Sequence, residues 1–224
     1  MDSASASIHE SRFSLTSHET PIVFVVDDDI SVRESLEALI RFAGLQPQTF
    51  ASAQEFLCRP RVFIPSCLVL DVTLPDLNGL ELQKRIATDR IDMPIIFITG
   101  HRDVPMTVRA MKAGAAEFLT KPYGDDVMLG AIRQAIEYSR AALRRETEMR
   151  SIRNLYTSLS PREQQVMALV VRGLLNKQVG VELGISEITV KAHRGSVMRK
   201  MKADSLADLV NMAARLHPVS ARKC

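Results

Sequence analysis

Between residue 21 and about residue 139 the chain alternates short apolar runs with amphipathic stretches, and this alternation restricts its fold more than any other feature. Runs at 22–27, 48–50, 67–72, 95–99 and 117–120 have the length and the β-branched or aromatic content of strands, with helix-length segments between them. Strands linked by helices are parallel, because the chain must cross back over the sheet, and such a sheet is covered on both faces. Val32, Leu36, Leu39 and Ile40 keep helical spacing up to Gly44, and Ser52 with Glu55 has capping-box spacing before another short helix. The pattern predicts five strands and five helices. Beyond Gly124, the residues Val127, Ile132, Ile136 and Leu143 lead into a charged stretch from Arg144 to Arg153 without Gly or Pro. The last helix is therefore expected to continue as a helical linker.

The pattern changes at Ser160-Pro161-Arg162-Glu163, where Ser160 can cap a helix, Pro161 suits its first turn and Glu163 can reach back. Helices are expected at 161–172, 177–183, 187–201 and 206–216, separated by Gly173, by Gly184-Ile185-Ser186 and by a turn before Ser205. The second and third of these have helix-turn-helix proportions.

Composition sets the remaining bounds. A chain of 224 residues with 46% apolar content can bury two small cores. Apolar runs fall well short of the roughly 18–20 residues of a membrane span, and the Ser-rich, acidic start lacks signal-peptide character, so a cytoplasmic protein without a membrane partner is expected. Cys58, Cys67 and Cys224 have neither disulfide nor zinc spacing, and Cys58 and Cys67 are read as core. Residues 1–138 carry 13 Lys+Arg against 19 Asp+Glu (net −6), whereas residues 139–224 carry 16 against 7 (net +9). The basic half suits a polyanion, though basic surface can also be a solvated face.

In an open parallel sheet the carboxyl ends of strands line one crevice, and the expected strands put Asp27-Asp28, Asp71, Thr99 and Lys121 at four such ends. Crowded carboxylates repel unless a hard divalent cation supplies charge, and Mg²⁺ is the natural candidate. Taken singly, each residue has a plainer reading. Asp28 or Asp29 could cap the next helix, Thr99 could be an ordinary strand residue, Phe118 a core aromatic and Lys121 a solvated strand-end lysine.

Together, Val25-Val26-Asp27-Asp28-Asp29, Leu70-Asp71 with Pro75 and Gly79, Ile98-Thr99-Gly100 and Lys121-Pro122 resemble the receiver domains of response regulators. His101-Arg102-Asp103-Val104-Pro105-Met106 and Ala110-Met111-Lys112-Ala113-Gly114-Ala115 point to the FixJ type. The resemblance implies a flavodoxin-like receiver with a five-stranded parallel sheet in the order 2-1-3-4-5. It makes Asp71 the acceptor of a phosphoryl group from a sensor histidine kinase, with Mg²⁺ held by Asp28, Asp71 and the backbone carbonyl of Thr73, and by Asp27 through water. It gives Lys121, whose bond to Pro122 would be cis and would aim the ammonium inward, a charge-neutralising role, and makes Thr99 and Phe118 a switch that reshapes the surface made by the fourth helix, fifth strand and fifth helix. Leu74, where Met is common, is a mild departure, and Asp29 receives no role.

Leu159-Ser160-Pro161-Arg162-Glu163, Gly173, Asn176-Lys177, Ile185-Ser186 and Thr189-Val190-Lys191-Ala192-His193 resemble the LuxR-like DNA-binding domain, the usual partner of such receivers in the FixJ/NarL group. Val190, Val197 and Met201 share one helical face, read as core, while Lys191, Gly195, Arg199 and Lys202 lie opposite with Ala192 beside them. Lys191 is the leading base-contact candidate; Lys177, Thr189, Ala192, His193, Arg194, Arg199 and Lys202 complete the expected DNA-binding set. Gly195 offers no side chain where some relatives carry a basic one, which shifts base reading toward Lys191, the Ala192 methyl and DNA shape.

An enzyme acting on its own substrate is the main alternative. Asp71-Val72-Thr73 lacks the acid two residues on that aspartyl phosphatases carry, and no Gly-rich phosphate loop or nucleophile triad accompanies it. The expected organisation is a disordered tail (1–20), receiver (21–138), helical linker (139–158), all-α helix-turn-helix domain (159–218) and C-terminal tail (219–224). Expected partners are a sensor kinase, double-stranded promoter DNA and a second copy of the chain upon phosphorylation, with room for RNA polymerase.

Overall fold

The computed structural model describes residues 20–87, 90, 92–100 and 104–216. The expected tails at 1–20 and 219–224, apart from Thr20, lie outside the described residues, as do Cys224 and the motif residues His101, Arg102 and Asp103. The chain divides into two compact units, Met1–Leu143 and Arg144–Cys224.

The first unit is built on five strands, β1 (Ile22–Val26), β2 (Gln46–Phe50), β3 (Ser66–Asp71), β4 (Ile95–Thr99) and β5 (Glu117–Thr120), all parallel and ordered β2-β1-β3-β4-β5. The helices α1 (Ile30–Phe42), α2 (Ala53–Leu57), α3 (Gly79–Ile86), α4 (Val104–Lys112) and α5 (Asp125–Thr157) alternate with them. Successive strand residues face opposite sides. Phe24, Val26, Leu68, Leu70 and Phe97 therefore pack with Phe56 and Leu82 on one side, and Val23, Val25, Val69, Ile96 and Ile98 with Leu36, Ile40, Met128 and Ile132 on the other. Because both faces are buried, the strands read as continuous apolar runs.

β4 and β5 have the expected limits. β2 begins at Gln46, two residues before its expected start, taking in Pro47, a residue tolerated on an edge strand where its missing N–H faces no partner. Cys67 is buried in the sheet, but Cys58 is exposed and corrects the core assignment. It closes α2, a helix of a turn and a half whose inward face is already filled by Ala53 and Phe56. The packing of α5 onto the sheet extends beyond residue 138, since the buried Ser139 Oγ accepts the Ser66 N–H at 3.0 Å.

The second unit contains the last part of α5 and four helices, α6 (Pro161–Val170), α7 (Asn176–Leu183), α8 (Glu187–Met201) and α9 (Leu206–Leu216). Val166, Met167, Val170, Val179, Val190, Val197, Met201 and Leu209 form its core, with Ile152 of α5 added to it. The Ser160–Glu163 capping box is present at the start of α6. α7 ends at Gly184, whose φ of 65° is the left-handed conformation glycine tolerates best.

Candidate functional sites

Strand register brings the first site together. Val26 pairs with Leu70, Asp71 with Ile98, and Thr99 with Thr120, so residues that follow one another off these strands meet at one edge. Asp27 thereby lies beside Asp71, and both are buried, at 0% and 7% exposure. The Lys121 ammonium reaches them from the residue after β5, donating to Asp27 Oδ2 at 2.8 Å and to Asp71 Oδ2 at 2.7 Å. Its peptide bond to Pro122 is cis. The second oxygen of each carboxylate takes a backbone N–H, that of Thr73 for Asp71 at 2.7 Å and that of Asp29 for Asp27 at 2.9 Å. Thr99 is buried at the neighbouring strand end, its carbonyl accepting the Lys121 N–H at 2.7 Å.

Burial pushes the Asp27 carboxyl above its ordinary range, although Lys121 and the Asp29 N–H pull the other way. Burial also works to lower Lys121, but its bonds to Asp27 and Asp71 outweigh that effect and hold it above its usual value. The pocket thus concentrates negative charge that the protein only partly offsets. Asp27, Asp28 and Asp71 each offer an oxygen within 4.8 Å of the others, with Asp28 on the exposed side. An all-oxygen, mostly anionic donor set of this kind suits a hard divalent cation.

Three residues support the site: the sequence offers Asp29 as a candidate cap and Gly79 as a motif residue, and gives no sign of Arg33. Asp29 is the N-cap of α1, accepting the Ser31 N–H at 2.8 Å, a role the Asp-rich run made readable. Arg33 donates to the carbonyls of Asp27 at 2.7 Å and Asp28 at 2.9 Å and so anchors the acidic turn. Gly79 approaches so closely that a Cβ there would lie 2.8 Å from the Asp71 carbonyl and 3.1 Å from the Phe97 ring. Phe118 is half-buried with its ring 6.0 Å from that of Phe97.

The second site is the outer face of α8. Val190, Val197 and Met201 are buried, whereas Lys191, Ala192, Gly195, Arg199 and Lys202 are exposed, and Lys177 and Thr189 are exposed nearby. His193 and Arg194 are half-buried, with Arg194 donating to Asn176 Oδ1 at 3.1 Å and tying α8 to the start of α7. Lys191 lies 3.1 Å from Glu187 one turn back, so its ammonium is already shared with a carboxylate. Gly180 fits the turn between α7 and α8 because a Cβ there would lie 2.8 Å from the Ile185 carbonyl.

Residues 23–133 match the response regulator receiver domain, and residues 157–213 match the bacterial regulatory proteins of the luxR family. Nodulation protein W of Bradyrhizobium diazoefficiens is 53% identical over 195 residues, covering 87% of this chain and 86% of the relative. Transcriptional regulatory protein FixJ of the same organism is 42% identical, covering 86% of this chain and 94% of that protein. The chain belongs to the FixJ-type response regulators. A solved structure of the response regulator StyR superposes on this regulator with a TM-score of 0.79 at 47% identity, covering 88% of this chain and all of that one. The regulator is accordingly a two-component transcription regulator, a receiver followed by a LuxR-type DNA-binding domain. Among its described residues no helix is long and apolar enough to cross a membrane.

Proposed function

We propose that Asp71 is the phosphoacceptor and that its phosphorylation by a sensor histidine kinase controls binding of α8 to promoter DNA in the cytoplasm. The observation that carries this reading is the pairing of two buried carboxylates, Asp27 and Asp71, on one lysine at the carboxyl edge of the sheet. One oxygen of Asp71 attacks the phosphorus of a kinase phosphohistidine, the O–P bond forms as the N–P bond breaks, and the imidazole leaves. Such transfer depends on positioning and charge neutralisation more than on a base. The Thr73 N–H orients Asp71, and the Lys121 ammonium can move from the carboxylate to a phosphoryl oxygen. Asp27, Asp28, Asp71 and the Thr73 carbonyl would hold Mg²⁺, which when bound offsets the phosphoryl charge. Thr99 would then donate its hydroxyl to a phosphoryl oxygen, and Phe118 would turn into the space beside it. The protein acts as a regulator and not as an enzyme on a separate substrate.

Exposed Val104, Val108 and Met111 on α4, beside β5, support a receiver dimer as the phosphorylated form. In the second unit, Lys191 and Ala192 would face bases, while Lys177, Thr189, His193, Arg199 and Lys202 would reach phosphates and Arg194 would hold α8 in place. The domains are proposed to span 21–138 and 159–218, joined by the linker at 139–158; RNA polymerase is a further proposed partner once the protein is on DNA.

The test is phosphorylation of the full chain by a small phosphodonor with Mg²⁺, followed by peptide mapping. Label is expected on Asp71 and is expected to vanish in Asp71→Asn with the fold retained by circular dichroism. Label on another residue of the wild type would overturn the assignment.

A further inference from the structure

We infer that Ile188 is a sequence-reading residue whose side chain meets a thymine 5-methyl group in the major groove, an inference that rests on α8 being the recognition helix. Ile188 is 80% exposed, although an isoleucine at the start of a helix usually serves the core. The local work is done by others. Ser186 caps the helix through the Thr189 N–H at 3.1 Å, Thr189 Oγ1 meets Ser186 Oγ at 2.8 Å, and Glu187 pairs with Lys191.

Its position is what matters. Ile188 is the second residue of α8, and the first turn of a recognition helix lies nearest the base edges. Stepping by three or four residues from it gives Lys191, Ala192, Gly195 and Arg199, every one exposed, so Ile188 heads the stripe that faces away from the core. Ala192 is its neighbour one turn on, close enough for the two side chains to form a continuous apolar patch. Gly195 opens onto empty space, which keeps the stripe shallow beyond that patch and lets the helix approach closely.

The basic residues around the patch, Lys191, Arg199 and Lys202, match phosphate and base acceptors, and this charge complementarity identifies DNA as the occupant. Two aliphatic side chains cannot donate or accept a hydrogen bond. The apolar group that a base pair presents in the major groove is the thymine methyl, so the patch favours T over C at the position it covers. Sequence reading passed over Ile188 because its side chain carries neither charge nor hydrogen-bonding atoms, and because helical spacing alone does not tell an apolar residue on the groove face from one at the edge of the core.

Deoxyuridine removes the methyl group and nothing else, which makes the inference testable. Full-length protein, treated with phosphodonor and Mg²⁺, is used to select sites from a randomised duplex pool. Each thymine of an enriched site is then replaced singly by deoxyuridine. The wild type is expected to lose affinity about fourfold at one thymine per half-site, the scale of one buried methyl group. Ile188→Ala is expected to bind the parent site about as much more weakly and to ignore that replacement, while Lys202→Ala keeps the full response. Equal response in the wild type and Ile188→Ala, or no response at any thymine, overturns the inference and leaves the DNA reading intact. A pool with no enriched sequence overturns both. If Ile188→Ala instead changes sedimentation without changing site preference, the residue is a protein contact and the inference fails.

Discussion

At Glu163 a single carboxylate ties two helices, α6 and α8, together. It accepts the Ser160 N–H at 2.7 Å, the Ser196 hydroxyl at 2.6 Å and the Lys200 ammonium at 2.7 Å, so the start of α6 is bound to α8 from below its exposed stripe. Lys200 and Ser196, then the Ser160 N–H, lower its carboxyl from the ordinary 4.5 to about 2. The folded state therefore holds the proton less well than the unfolded chain. Its contribution to stability is complete above about pH 4.5 and is lost as pH falls toward 2. Glu163→Gln is expected to cost about 2 kcal/mol near neutral pH through the weakened charged hydrogen bonds. Urea unfolding at pH 7 and at pH 3 checks this: the gap between wild type and variant should narrow at the lower pH, and a constant gap would assign the loss to packing. Lys191 makes a second prediction at this scale. Its pair with Glu187 is exposed and weak, so exchange for a base edge costs little. Lys191→Ala is expected to weaken specific binding by about 1–3 kcal/mol, whereas Lys202→Ala should weaken all sequences alike and lower the salt slope by about one. Competition titrations against random DNA separate the two roles.

Between α7 and α8 the element itself carries the specificity of shape. Gly184 supplies the left-handed turn, and the backbone of Ile185 passes over Gly180 with no room for a methyl group. Arg162 of α6 donates to the Leu183 carbonyl at 3.2 Å, which satisfies the end of α7, and Arg194 fixes its beginning. Gly180→Ala should force the turn open at a cost of about 1–3 kcal/mol, the range for an inserted group in a packed site. Calorimetry is expected to show the second unit melting earlier while the receiver transition is unchanged. The acidic turn is built on the same logic, since Asp29 caps α1, Arg33 grips the carbonyls of Asp27 and Asp28, and Gly79 admits the Asp71 backbone.

For the whole molecule, charge is unevenly shared between an acidic receiver half (net −6) and a basic half (net +9), which keeps the phosphoryl chemistry and the polyanion partner on separate domains. One recognition helix offers few contacts, and a monomer should bind DNA weakly. Pairing two receivers makes the second half-site contact intramolecular, which can raise avidity by about 10² to 10⁴ without any new base contact. The expected outcome is that phosphodonor with Mg²⁺ shifts sedimentation from monomer to dimer over the concentrations at which an inverted-repeat site fills. Full occupancy by a phosphorylated monomer would remove receiver dimerisation as the switch.

The elements were readable in the sequence because their causes are local: continuous apolar runs for a sheet buried on both faces, helical spacing at Val32, Leu36 and Ile40, capping at Ser160, and the buried face of Val190, Val197 and Met201. The places of Asp27, Asp71, Thr99 and Lys121 at strand ends gave their gathering at one edge, and motif resemblance added the strand order. Other facts depend on partners distant in the chain. Spacing gives no sign that Glu163 would meet Ser196 and Lys200, or that Arg194 would be held by Asn176. Cys58 and Ile188 make the point from the apolar side, since composition sends both inward and packing leaves both at the surface. A short helix or a small helical core has limited area to cover; once Phe56 or Val190 has filled it, the neighbouring apolar side chain remains in solvent, and only the tertiary structure decides which one that is.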